Sequence, residues 1–162
     1  MKLGAHVSVA GGLHNAIPRA LEIEADTFQM FSKNPNQWIA KPLTDEEIEA
    51  FKTSLAKTDL GPLMIHDSYL INMGNPDKTK GKRAQVAFLE EYHRCEALDV
   101  AYLNFHPGSH THPKKEMRDD KQTRDEALER IAHHMNKTLE KTKGYDSKLV
   151  IENAAGQGTN VG

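Results

Sequence analysis

Short apolar runs alternate with longer stretches of helical period along the chain, and that alternation limits the fold more than any other feature of the sequence. Leu3–Val9, Thr27–Ser32, Pro62–Asp67, Val100–Phe105 and Lys148–Glu152 read as strands. Between the first two, Pro18–Glu24 suits a short helix, because proline in the first turn has no N–H to waste. Thr44 and Glu47 have the spacing of a capping box, and Ile48, Phe51 and Leu55 recur behind them at helical intervals. A third helix covers Lys80 to Leu98, with Ala84, Ala87, Phe88, Tyr92, Cys95 and Leu98 as its apolar stripe. A fourth covers Arg124 to Lys141, with Leu128, Ile131, Met135 and Leu139 on one face. Strand and helix in strict alternation predict parallel βαβ units.

The strands begin near residues 2, 26, 62, 100 and 147, a repeat of about 36 residues. Eight such units need roughly 290 residues, close to the ~250 typical of a (β/α)8 barrel. The expectation is therefore an α/β chain of the TIM-barrel type, an incomplete barrel of about five parallel strands and four helices in one domain over residues 1–162. A doubly wound open sheet fits the same count, but no GxGxxG turn follows the first strand, so a dinucleotide-binding version has no support.

Composition narrows the function classes. The net charge of -2 excludes a protein that coats nucleic acid by bulk positive charge, so any DNA contact must come from local loops and bound metal. No apolar stretch approaches the roughly 18–20 residues needed to span a membrane. The single cysteine, Cys95, permits no internal disulfide and fits a reducing, cytoplasmic setting. On its helix it reads as a small buried group.

Three residues stand at matching places in consecutive units: His66, His106 and Glu152, each at the end of a strand and separated by 40 and 46 residues. Such spacing is useless for a zinc finger. In a parallel barrel it is informative, because neighbouring strands lie about 4.8 Å apart and their C-terminal ends line the mouth where active sites form. Two imidazoles and one carboxylate are the ligand set of a catalytic zinc with an open position. The competing reading is that a histidine at a strand end simply hydrogen-bonds a loop. His6, at the end of the first strand, is read as a group close behind these ligands. Lys33 and Lys41 are read as phosphate contacts or as solvated surface lysines.

Five strings extend this pattern: GAHVS (Gly4–Ser8), KNPNQW (Lys33–Trp38), HDSYLINMGNP (His66–Pro76), LNFHPGSH (Leu103–His110) and IENAAGQGTNVG (Ile151–Gly162). In order and spacing they resemble the endonuclease IV family of zinc-dependent abasic-site endonucleases, in its N-terminal portion. The resemblance implies a (β/α)8 barrel with a three-zinc cluster, of which this chain carries the ligands for one site and part of a second. His66 and His106 would hold one zinc, and Glu152, as the catalytic carboxylate, would bridge it to the next. It implies hydrolysis of the phosphodiester 5′ to an abasic site in double-stranded DNA, leaving a 3′-hydroxyl, with the abasic nucleotide turned out of the duplex. It also implies that Tyr69 and Leu70 enter the base stack beside the lesion and that Asn36 and Gln37 belong to a second DNA loop. The family often carries a longer basic residue where this chain has Asn36.

Two other functions fit parts of the pattern. A sugar isomerase or epimerase also places His and Glu at barrel strand ends, without a DNA wedge. A non-catalytic fragment that binds metal or DNA fits a sheet whose first and last strands are unpaired edges. On that ground the 162-residue chain alone is expected to be poorly stable and nearly inactive, to self-associate or to need a complementing chain, although the family is typically monomeric.

Overall fold

The computed structural model describes residues 1–111, 114, 116 and 120–153, so residues 154–162 of the last string lie outside the described residues. Among these residues five strands, β1 (Gly4–His6), β2 (Thr27–Phe31), β3 (Met64–His66), β4 (Tyr102–Phe105) and β5 (Lys148–Ile151), alternate with four helices, α1 (Ala16–Glu22), α2 (Asp45–Leu55), α3 (Lys78–Ala97) and α4 (Lys121–Lys141). A short 3₁₀ turn at Leu13–Asn15 precedes α1 and was not foreseen. The strands form one parallel sheet in chain order, β1 to β5, which makes β1 and β5 its edges.

Side chains alternate across such a sheet. Phe28, Met30, Ile65, Leu103 and Phe105 point outward and are buried with Ile17, Phe51, Ala84, Ala87 and Phe88 from the helices. Phe88 and Phe105 meet with ring centroids 4.7 Å apart, and removing either ring would cost about 3–5 kcal/mol. The opposite parity faces inward, and register sorts those residues into levels. His6, Gln29, Met64, Tyr102 and Lys148 form one level. Phe31, His66, Asn104 and Val150 form the next, and His106 and Glu152 stand two residues further along their strands.

Local chemistry sets the helix boundaries. Thr44 caps α2 with both halves of the capping box present: its hydroxyl accepts from the Glu47 N–H, and the Glu47 carboxylate accepts from the Thr44 N–H. Asp77 caps α3 by accepting from Thr79 and Lys80, so α3 starts two residues earlier than its apolar stripe predicts. All six stripe residues of α3 are buried. The fourth helix departs from expectation. It packs through Ala127, Thr138 and the half-buried Ile131 and Met135, whereas Leu128 and Leu139 are 58% and 45% exposed. Its apolar face is wider than the seam it packs against.

No helix among the described residues is long and apolar enough to cross a membrane. Thr44→Ala should lower stability by about 1 kcal/mol, read as a shift in denaturant midpoint, because the Glu47 N–H loses its acceptor. Cys95 is fully buried and its thiol is pushed up to about 12 by burial, so it should resist a thiol reagent in the folded chain and react fully in denaturant.

Candidate metal centre

His66, His106 and Glu152 converge although they are distant in sequence. One ligand atom from each lies within 4.8 Å of the others. His66 Nε2 is 3.3 Å from one Glu152 oxygen, and His106 Nε2 is 3.9 Å from the other. The two imidazoles are 5.3 Å apart between centroids. For metal–ligand bonds of about 2.0–2.1 Å, the edge of a tetrahedron is about 3.3 Å, so these separations suit one small divalent ion.

Hydrogen bonding fixes the protons. His66 Nδ1 lies 2.8 Å from the Asp67 carbonyl, which can only accept, so Nδ1 carries the hydrogen. In the neutral ring Nε2 is then bare, and its lone pair faces a carboxylate oxygen. Two acceptors facing one another at 3.3 Å are stable only with a proton or a cation between them. Such a Nδ1–H to carbonyl bond is also the usual support for a metal-binding imidazole. Glu152 is positioned in turn by Asn104, whose side-chain amide donates to Oε2. His106 Nδ1 is buried and has no hydrogen-bond partner among the described residues.

Asp67 links the strand ends. Its N–H donates to the Asn104 carbonyl at 2.9 Å. Burial, reinforced by the Glu91 carboxylate, pushes its carboxyl up to about 9 against the N–H of His106, and Glu152 adds to the rise. The loop after β4 is pinned separately. Asn72 Oδ1 accepts from the N–H groups of Gly74 and Ser109, each at 3.0 Å. Gly108 allows this approach, because it has φ of 122° and a Cβ there would sit 2.4 Å from that same oxygen.

The remaining expected residues surround the three groups. His6 is outside the ligand set; its Nδ1 donates to Gln29 at 3.1 Å, and its ring packs 4.5 Å from Phe31 and 6.5 Å from His66. Tyr69 is 65% exposed, with its ring 5.4 Å from Phe31 and 5.7 Å from His66. It is therefore exposed beside His66, whereas Leu70 is half-buried. Asn36 and Gln37 are exposed in a turn built on Asn34, and Ser68 Oγ donates to Pro35 O at 2.5 Å, tying their loop to the one bearing Tyr69.

Lys33 contradicts its surface reading. It is 8% exposed and ion-paired to Glu90 and Glu91 of α3 at 3.2 and 3.6 Å, so it is not a free phosphate contact, whereas Lys41 is exposed. Sequence reasoning also missed Asn104 and Glu91, and both left a signal. Asn104 is two residues before His106, on the same face of the strand. Glu91 falls on the apolar stripe of α3, four residues after Ala87.

Comparison with known proteins places this geometry. A family model described as a xylose isomerase-like TIM barrel matches residues 17–162. The chain belongs to that family. Two curated relatives, probable endonuclease 4 of Phocaeicola vulgatus and of Campylobacter fetus, are each 48% identical to it over 99% of its length. It covers 55% and 54% of them, so it spans about half the length of these relatives. The crystal structure of endonuclease IV from Thermus thermophilus superposes over the whole chain and 55% of its own length, with a TM-score of 0.80 and 28% identity. A D-psicose 3-epimerase aligns over 93% of the chain and 52% of its own length, with a TM-score of 0.67 and 13% identity, a likeness of fold alone. The endonuclease IV resemblance and the partial TIM barrel expected from the sequence are both borne out.

Asn104→Ala should leave the fold intact and lower the affinity for added Zn2+ or Co2+ by about 10–100-fold, measured by titration, because Glu152 loses the group that orients it.

Proposed function

We propose that this chain supplies a zinc site and two DNA-contacting loops of an abasic-site endonuclease. The observation that carries this reading is the convergence of His66, His106 and Glu152, with a bare imidazole nitrogen facing a carboxylate oxygen. The donor set fits zinc, which when bound acidifies water and offsets charge on phosphate oxygens. His66, His106 and the half-exposed Glu152 would together hold one ion. No membrane partner is proposed.

The residues of this chain have separate tasks. The Asp67 carbonyl holds His66 in one tautomer. Asn104 holds Glu152 towards both imidazoles. Tyr69 offers an exposed aromatic ring 5.7 Å from that of His66, where it can stack in the gap left by a missing base, with Leu70 beside it as an apolar wedge. Asn36 and Gln37 present amides from the adjoining loop to the duplex backbone. Catalysis then rests on positioning and electrostatics around the scissile phosphate. His6 steadies Phe31 and, through it, the floor under Tyr69.

A sugar epimerase shares the fold, but an exposed aromatic beside the centre suits a nucleic acid better than a small polyol. Two measurements test the proposal. Zinc should raise the melting temperature of the wild-type chain, and His66→Ala or Glu152→Gln should abolish that shift. The chain should bind a duplex bearing a tetrahydrofuran abasic analogue more tightly than the intact duplex, and any incision should leave a 3′-hydroxyl that a polymerase extends and stop with a chelator. Equal binding to both duplexes, or epimerisation of a ketohexose, would refute the assignment.

A further inference from the structure

We propose that a buried network of Ser32, Lys33, Glu91 and Arg94 is a positioning device that holds the loop carrying Asn36 and Gln37 beside the metal centre. This rests on the nuclease reading above for the purpose of the loop, and on geometry for the device itself. The loop runs from the end of β2 to the cap of α2 and makes few backbone hydrogen bonds of its own. Its anchors come from α3. Arg94 donates through Nε to Ser32 Oγ at 3.0 Å and through Nη2 to the Ser32 carbonyl, while Nη1 reaches the Lys41 carbonyl at 3.1 Å. One guanidinium therefore staples both ends of the loop.

Glu91 completes the network. It accepts from Ser32 Oγ at 2.6 Å and pairs with Lys33. Lys33 Nζ in turn donates to the Trp38 carbonyl at 3.3 Å, in the middle of the loop. Arg83, also on α3, lies over the Trp38 ring at 4.4 Å. From this frame Pro35 is joined to Ser68, next to Tyr69, so the network ties both loops to α3.

Stability alone is a poor reason for this arrangement. Lys33, Glu91 and Arg94 are 8%, 1% and 8% exposed, and a well-packed apolar set commonly does as well as buried ion pairs. What directional charged hydrogen bonds add is a single geometry. Arg94 is not replaceable by lysine, whose one ammonium cannot span Ser32 and Lys41 together.

Trp38 is the sole tryptophan of the chain, so its fluorescence reports the loop directly. Arg94→Lys and Glu91→Gln should each leave far-UV circular dichroism unchanged, and Arg94→Lys should also leave the Co2+ absorption spectrum of the metal centre unchanged. Each should shift Trp38 emission to the red, raise its quenching by acrylamide severalfold and weaken binding to the abasic-analogue duplex severalfold. Unchanged quenching in both variants overturns the proposal, as does a released Trp38 with undiminished duplex binding. Loss of folded structure in both variants also overturns it, because the network then holds the barrel and not the loop. Should the wild-type chain show no preference for the abasic duplex, the nuclease reading fails, and the quenching alone decides whether the network tethers the loop.

Discussion

The parallel hydrogen-bond ladder is the constraint on which the centre depends. Each strand of a parallel sheet can be read only in register with its neighbours, and the register of β3, β4 and β5 settles where their last inward side chains stand. His66 sits one level below His106 and Glu152, a stagger expected of strands that tilt around a barrel axis. Without that stagger the three groups would lie in a row. With it they form a triangle small enough for one ion.

Supporting groups then restrict what the triangle can be. A carbonyl decides the tautomer of His66, an amide aims Glu152, and the Asp67 carboxyl accepts from the backbone of His106. Each support comes from a strand end or from the residue just beyond it. The precision of the site is thus inherited from the sheet. The loops around it need separate fastening, which Asn72 supplies on one side and Arg94 on the other.

Much of this was legible in the sequence, and the limits have physical causes. Element order, the Thr44–Glu47 box and the α3 stripe follow from local chemistry and periodicity, which neighbours do not alter. The positions of His66, His106 and Glu152 at strand ends were equally visible. Strand lengths were not: Leu3–Val9 shrinks to Gly4–His6, because an apolar residue can lie beyond the last ladder bond. The buried face of α4 was misjudged because hydrophobicity records what could be covered, and packing decides what is. Lys33 was misread for the opposite reason. A charged residue suggests solvent unless its partners are known, and Glu90 and Glu91 are far from it in sequence.

The alternation of side chains about the sheet also sets a rule for how a chain of this kind can change over evolutionary time. An insertion of one residue between Tyr102 and His106 would turn the imidazole out of the barrel and bring Phe105 into the mouth, whereas an insertion of two would preserve parity and shift only height. Deletions follow the same even-number rule. Length variation within the metal-binding strands therefore comes in even steps, and the parity rule lapses beyond the last inward ligand of each unit.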